Sequence, residues 1–259
     1  MPVLPDYKIV DVHAHLCDPI YDTDRAEVLE RARNAGVRAI IAVGETLADA
    51  SKNIELAASH PALRPAAGLY PTHLDLKEAQ EMKDFIRAKH NRLFAIGEVG
   101  LDYWAVKDAS EREMQQEIFR GFIELARELK LPLNVHSRAA GRHAVRLLLE
   151  HGAESAVLHA FDAKPSVALP AAEAGCFFSI PPSIIRSRQK QKLVKQLPLS
   201  CLLAETDSPV LGPSPNERNE PANARISVRA IAEIKHLGEE EVMEALFDNA
   251  CRLFDPLSL

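Results

Sequence analysis

The chain has 259 residues, is 47% hydrophobic and carries a formal charge of −6. That length suits one large α/β domain, taken as residues 1–259, better than two small ones. The mildly acidic balance excludes a passive polyanion binder, so any nucleic acid must be met by local cations or by metal.

The first apolar run, Ile9–Val12, predicts a strand ending in Val12-His13-Ala14-His15. Alternation along a strand sends His13 and His15 to one face, where two imidazoles side by side can hold a divalent ion. Helical spacing follows over Asp24–Ala35, through Val28, Leu29 and Ala32. A strand at Ala39–Val43 leads to a helix over Leu47–Ser59. Strands at Pro65–Leu69 and Leu93–Ile96 precede a helix over Glu111–Leu129, whose stripe is Ile118, Phe122, Leu125 and Leu129. Strands at Pro132–Val135, Ala156–Leu158, Cys176–Ile180 and Cys201–Ala204 alternate with helical stretches at Val145–Leu149 and Val167–Ala174. The chain continues in helices around Val228–Lys235, Glu240–Phe247 and Asn249–Phe254.

Eight strands alternating with helices predict a single (β/α)8 TIM-type barrel, with its active site at the carboxyl ends of the strands. A doubly wound sheet would want a Gly-rich phosphate loop after an early strand, and the sequence has none. Pro209–Ala224, with four prolines, is read as a long ordered loop over the barrel mouth. Cys17, Cys176, Cys201 and Cys251 form no CxxC pair and are expected to be reduced. With no signal-peptide pattern and no long apolar run, the expectation is a cytoplasmic protein without a membrane segment.

The barrel rule makes the strand ends informative. Strand one ends in His13 and His15, strand four in Glu98, strand five in His136 and strand six in His159, while Glu205 and Asp207 follow strand eight. Each alone has an ordinary reading: a hydrogen-bonding histidine, a glutamate paired with arginine, a turn-forming aspartate. Their convergence at one rim points instead to a divalent-metal site.

These residues lie in segments that resemble the TatD-related metal-dependent deoxyribonucleases, a branch of the amidohydrolase-like barrels. The segments are Asp11-Val-His-Ala-His15, Ile96-Gly-Glu-Val-Gly-Leu-Asp102-Tyr103, Asn134-Val-His-Ser-Arg138, Leu158-His-Ala-Phe161, Glu205-Thr-Asp-Ser-Pro209 and the closing-loop Arg218-Asn-Glu-Pro221. The resemblance implies two divalent ions, of zinc, magnesium or manganese. His13, His15 and Asp207 would hold one ion, His136 and His159 the other, and Glu98 would bridge them. Such a pair, about 3.5–4 Å apart, suits phosphodiester hydrolysis, with Glu98 and Asp207 as the catalytic acids and Asp207 as the base. The implied substrate is DNA, single-stranded ends above all, with no membrane and no obligate protein partner.

Around this core, Ser137 and Arg138 are candidate phosphate contacts, and Asp102 is a candidate to orient a ligand histidine. Tyr103 and Trp104 can stack on a base or pack under a loop. Arg186, Arg188, Lys190 and Lys192 can meet a phosphate backbone or form a solvated helix start. One departure from the family pattern is Tyr70, which stands where a histidine is expected in Gly68-Leu-Tyr-Pro71, with His73 as a possible substitute. The rival readings are a barrel hydrolase of another ester, lactone, amide or aminoacyl-tRNA bond, and a noncatalytic nucleic-acid- or protein-binding member.

Overall fold

Every residue of β1 (Ile9–Ala14) is buried, including Asp11 and His13, because a parallel strand inside an α/β fold is covered on both faces. The computed structural model describes residues 8–153 and 155–254. After β1 come β2 (Val37–Ala42), β3 (Leu63–Ala67), β4 (Ala95–Gly100), β5 (Leu133–His136), β6 (Ala156–Leu158), β7 (Phe177–Ile180) and β8 (Leu202–Ala204). They form one parallel sheet in the order β1 to β8. The sheet curls until its ends meet. Ala14 bridges Ser208 in parallel, Asp207 N–H donates to His13 O at 2.8 Å, and His15 N–H donates to Ser208 O at 2.8 Å. The expected (β/α)8 barrel is therefore the observed architecture.

The helices α1 (Arg25–Asn34), α2 (Leu47–Ser59), α3 (Leu76–Lys89), α4 (Ala109–Leu129), α5 (Gly141–Glu150), α6 (Pro165–Glu173), α7 (Arg188–Gln196), α8 (Ala224–Lys235) and α9 (Glu239–Leu253) pack outside. Their starts are written in side chains. Thr46 and Asp49 form a reciprocal capping box on α2, and the Asp108 carboxylate accepts from Ser110 N and Glu111 N at the head of α4. One helix, α3, escapes the sequence patterns, and a second, α7, is the helix start read as one alternative for the 186–192 cations. In α3 only Ala79, Met82 and Ile86 are buried, a stripe too thin to stand out, and α7 hides Leu193 and Val194 among cations. The two helices expected at 240–247 and 249–254 are the single α9. Asn249 does not break it; its amide donates to Leu199 O and Leu202 O, both at 2.8 Å, and ties the helix to β8.

A cluster of Val10, Val12, Ala39, Ile41, Val43, Ala66, Ala95, Val157, Phe177 and Leu203 draws on seven strands, which can meet only inside the barrel. Ala250 and Leu253 of α9, with Phe254 just after it, join it, closing the end away from the histidines. The outward strand residues and the helices make the larger core. The register slips between Asp11 and Ala14 of β1 and between Ile96 and Val99 of β4. Such irregularities re-aim side chains near sites, and these two flank His13 and Glu98. Glycine permits the second: a Cβ on Gly97 would lie 2.5 Å from Asn134 Cβ, and one on Gly100, at φ +143°, 2.1 Å from His136 O.

The proline-rich stretch is an ordered loop, as expected. Asn219 Nδ2 donates to Thr206 O and Val210 O, the Tyr21 hydroxyl donates to Asn219 O, and Arg218 grips Asp24 with both terminal nitrogens. Among the described residues no helix is long and apolar enough to cross a membrane, and the four cysteines are free thiols.

The seam between β1 and β8 depends on one buried carboxylate. Asp11 Oδ1 accepts from Thr206 N at 2.8 Å and Oδ2 from Thr206 Oγ1 at 2.5 Å. Burial pushes the Asp11 carboxyl up to about 7 despite these bonds. Asp11→Ala takes the acceptor from Thr206 N–H and from the Thr206 hydroxyl, which is left with Ser208 Oγ at 3.0 Å, at about 1–3 kcal/mol per buried bond left unmade. Urea unfolding should show a loss of at least about 2 kcal/mol; an unchanged midpoint would contradict the seam.

Candidate metal centre and active site

Strands β1, β4, β5 and β6, with the segment after β8, deliver their terminal side chains to one point. His13 Nε2 and His15 Nε2 stand 3.2 Å apart. Asp207 Oδ1 lies 3.4 Å from the first and 3.5 Å from the second, and Glu98 Oε2 lies 3.9 and 3.6 Å from them. On the other side, Glu98 Oε1 is 2.6 Å from His136 Nδ1 and 2.7 Å from His159 Nε2, which are themselves 3.1 Å apart. Glu98 thus turns one oxygen to each pair of imidazoles. The six side chains the sequence singles out as metal ligands are brought together, and the triads His13–His15–Glu98, Glu98–His136–His159 and His13–His159–Asp207 each have metal-ligand proximity.

The outward atoms of the rings tell which atoms are left for an ion. Asn134 Nδ2 donates to Val12 O at 2.7 Å, so its oxygen faces His13 Nδ1 at 2.8 Å. A carbonyl oxygen only accepts, so Nδ1 carries the hydrogen and Nε2 turns to the centre. Asp102 Oδ2 plays the same part at 3.1 Å from His136 Nε2, as its sequence position suggests, and also accepts from the Tyr70 hydroxyl at 3.3 Å. His159 Nδ1 is buried with no hydrogen bond, 3.9 Å from Glu205 Oε2. Glu205 is spent elsewhere, accepting from Ala160 N and Ser179 Oγ, and burial pushes it up to about 7. The donor set of imidazoles and carboxylates, with the outer atoms of His13 and His136 engaged, fits divalent metal.

Burial alone would push His13 down, but Asp207 and Glu98 outweigh it and hold the ring up at about 10. His136 is likewise lifted against burial, by Glu98 and Asp102, to about 9. Asp207 is held well down by His13 and His15 although burial opposes it, and stays ionised. Four residues here have left-handed φ without being glycine: Ala139 (55°), Ala160 (44°), Asp207 (52°) and Leu211 (50°). Two are held by carboxylates, Ala139 N donating to Asp162 Oδ2 and Ala160 N to Glu205 Oε1, both at 2.8 Å. Strained backbone of this kind concentrates at functional sites.

A cavity of about 450 Å³ opens onto this centre, lined among others by His15, Glu45, Tyr70, Ser137, Arg138 and Lys190. A larger cavity, about 990 Å³, lies at the amino ends of β1 to β3 against α1, and none of the six ligand residues lines it; the chemistry, not the volume, marks the site. Ser137 and Arg138 line the smaller cavity, and the Ser137 hydroxyl is buried without a partner. Tyr103 packs under its loop, 7% exposed, with the Arg112 guanidinium over its ring and its hydroxyl bonded by Gln116. Of the four cations at 186–192, Arg186 turns to Gly212 O, while Arg188 and Lys192 are exposed. Lys190 alone of these lines the cavity, buried, its amine donating to Ala160 O at 2.9 Å. His73 does not substitute for the missing histidine: it pairs with Glu78 at 3.1 Å. Asn134 and Glu45 were missed in the sequence; an amide in an apolar strand was the signal for the first, and an acid just past β2 for the second.

A family model described as TatD related DNase matches residues 10–255. Deoxyribonuclease TATDN3 of Homo sapiens is 45% identical, the alignment covering 96% of this chain and 95% of that one. The uncharacterized metal-dependent hydrolase YabD of Bacillus subtilis is 35% identical over 95% of this chain and 98% of its own length. Among solved structures, the TatD homologue YjjV of Escherichia coli superposes with a TM-score of 0.87 at 26% identity, covering 95% of this chain and 98% of its own.

The raised imidazoles make metal uptake a proton exchange. At pH 7 His13 and His136 hold protons that an ion must displace. Apparent zinc affinity should therefore rise across about pH 6.5–8. Calorimetric titration in two buffers of different ionisation enthalpy reads the released protons; buffer-independent heats would overturn this protonation. Without metal the sign is fixed too. Both rings titrate above their ordinary 6.5, so the stability they lend is full below that value and is lost as pH climbs through about 9 and 10.

Proposed function

We propose, from the premise that this chain belongs to the TatD-related DNase family, that it is a metal-dependent hydrolase that cleaves phosphodiester bonds of DNA, and that residues 1–259 act as one barrel. The observation that carries the reading is Glu98, whose two oxygens face two separate imidazole pairs at 2.6–2.7 Å and 3.6–3.9 Å. We assign one ion to His13, His15 and Asp207, a second to His136 and His159, and Glu98 to both. Four imidazoles among six donors favour zinc over magnesium or manganese. When bound, the ions supply Lewis acidity and lower the pKa of water.

The chain's own residues supply the rest. The ionised Asp207 accepts the proton of the attacking water. Ser137, with its unpartnered buried hydroxyl, and Arg138, with its fork of donors, hold nonbridging phosphate oxygens. The Lys190 amine, held on Ala160 O, adds a point charge to the cavity wall. Burial lowers its proton affinity, and an anion seated in the cavity would raise it again. These three donors favour a phosphate substrate over a neutral ester or lactone. Asp102 fixes the ring of His136, and Asn134 that of His13.

Depth argues for the single strand. His13, Glu98, Asp207, His136 and His159 are all 7% exposed or less. A stiff duplex reaches such a floor poorly, whereas a single-stranded end bends in.

Asp207→Asn keeps the shape and removes the proton acceptor. Turnover should fall about 10²–10⁴-fold, with metal content by elemental analysis largely retained; activity within a few-fold of the parent would remove the base role. Lys190→Met should weaken single-strand binding and flatten the plot of log affinity against log salt by about 0.7. An unchanged slope would remove the phosphate contact. A substrate panel decides the reaction class. End-labelled single strands should be cut before duplexes and circles. Turnover of esters or lactones without any phosphodiester cleavage would overturn the nuclease reading.

A further inference from the structure

The geometry points to a nucleobase shelf at the rim of the site, made by the Trp104 indole and the Arg138 guanidinium stacked on it, which takes the base next to the bound phosphate; this rests on the phosphodiester reading above.

Trp104 is 58% exposed. A single exposed apolar side chain is ordinary, but this one is built into the site from two directions. The Arg138 guanidinium carbon lies 3.7 Å from the ring centroid, and Arg138 lines the catalytic cavity two residues after His136. Trp104 N–H donates to Asp102 Oδ1 at 2.8 Å and Ala105 N–H to the same oxygen at 2.7 Å, while Asp102 Oδ2 is 3.1 Å from His136 Nε2. One carboxylate thus ties the indole's backbone to the ring of a proposed ligand. The two loops are also joined directly, Tyr103 N–H donating to Arg138 O at 3.0 Å.

The neighbouring aromatic is unsuited to the task. Tyr103 is 7% exposed and covered by Arg112. Of the adjacent Tyr103 and Trp104, only the latter keeps an open ring surface. Unpaired bases stack on aromatic and guanidinium planes, and every base has such a face. A base laid on this stack puts its own backbone within reach of Arg138. Bases inside a duplex are already stacked on their neighbours, so the shelf selects unpaired ends without reading sequence.

The chain has one tryptophan, so its fluorescence reports Trp104 alone. The Asp207→Asn holoenzyme is titrated with a short, dye-free single-stranded oligodeoxynucleotide and, separately, with the same strand carrying abasic sites at its end. Anisotropy of labelled copies follows binding independently. Quenching with the first strand and its loss with the second is the expected result. Absence of binding, or binding without a change in indole fluorescence, overturns the shelf. With the active holoenzyme, Trp104→Ala should shrink the preference for the base-bearing over the abasic strand by about 5- to 100-fold, and Trp104→Phe should restore most of it. Equal losses on both strands would mark the indole as merely structural and overturn the proposal. If the parent enzyme cleaves no phosphodiester, the nuclease reading falls, and the fluorescence titration still decides the shelf by itself.

Discussion

Glu98 joins two groups of buried imidazoles, and the barrel end is organised around making that junction tolerable. Nitrogens and oxygens stand 2.6–3.9 Å apart there with little solvent between them. Such a cluster is costly unless each member is satisfied on its far side. Asn134 behind His13 and Asp102 behind His136 do this, and both are themselves anchored to backbone, at Val12 and at Trp104 and Ala105. His159 lacks such a partner.

Regular strands do not give this arrangement unaided. The register slips lie beside His13 and Glu98, the glycines 97 and 100 let β4 and β5 approach where side chains would collide, and left-handed residues follow Arg138 and His159. Apart from a slip between Ile9 and Val10, these deviations gather at the carboxyl end, while the opposite end is plugged by ordinary apolar packing from α9. Stability and chemistry are divided between the two ends of one barrel.

The barrel was legible because its strands are short apolar runs ending in ligand-type residues, so one rule located both fold and site. What stayed hidden was hidden for physical reasons. Asn134 looks like one polar residue in a buried strand until His13, 121 residues away, is brought to its oxygen. Lys190 is one cation among four in sequence, and only the helical turn of α7 selects it for burial. Asn249 carries the local signature of a break between helices, and only its two bonds to the approach of β8 explain why α9 runs through it. His73 sits three residues from Tyr70, yet the chain turns it towards Glu78. Sequence patterns report periodicity and strand ends; they are silent on partners that meet across the barrel.

The seam has a consequence in time. Asp11 reaches Thr206 across 195 positions, and His13 and Asp207 are brought together by the same closure. During synthesis the histidines of β1 emerge long before the aspartate that completes their group. Until then the growing chain has Glu98, His136 and His159 but lacks the acid of the His13–His15 group, and β1 has an open sheet edge. A chain released before Thr206 lacks both the latch and the Asp207 carboxylate that faces His13 and His15.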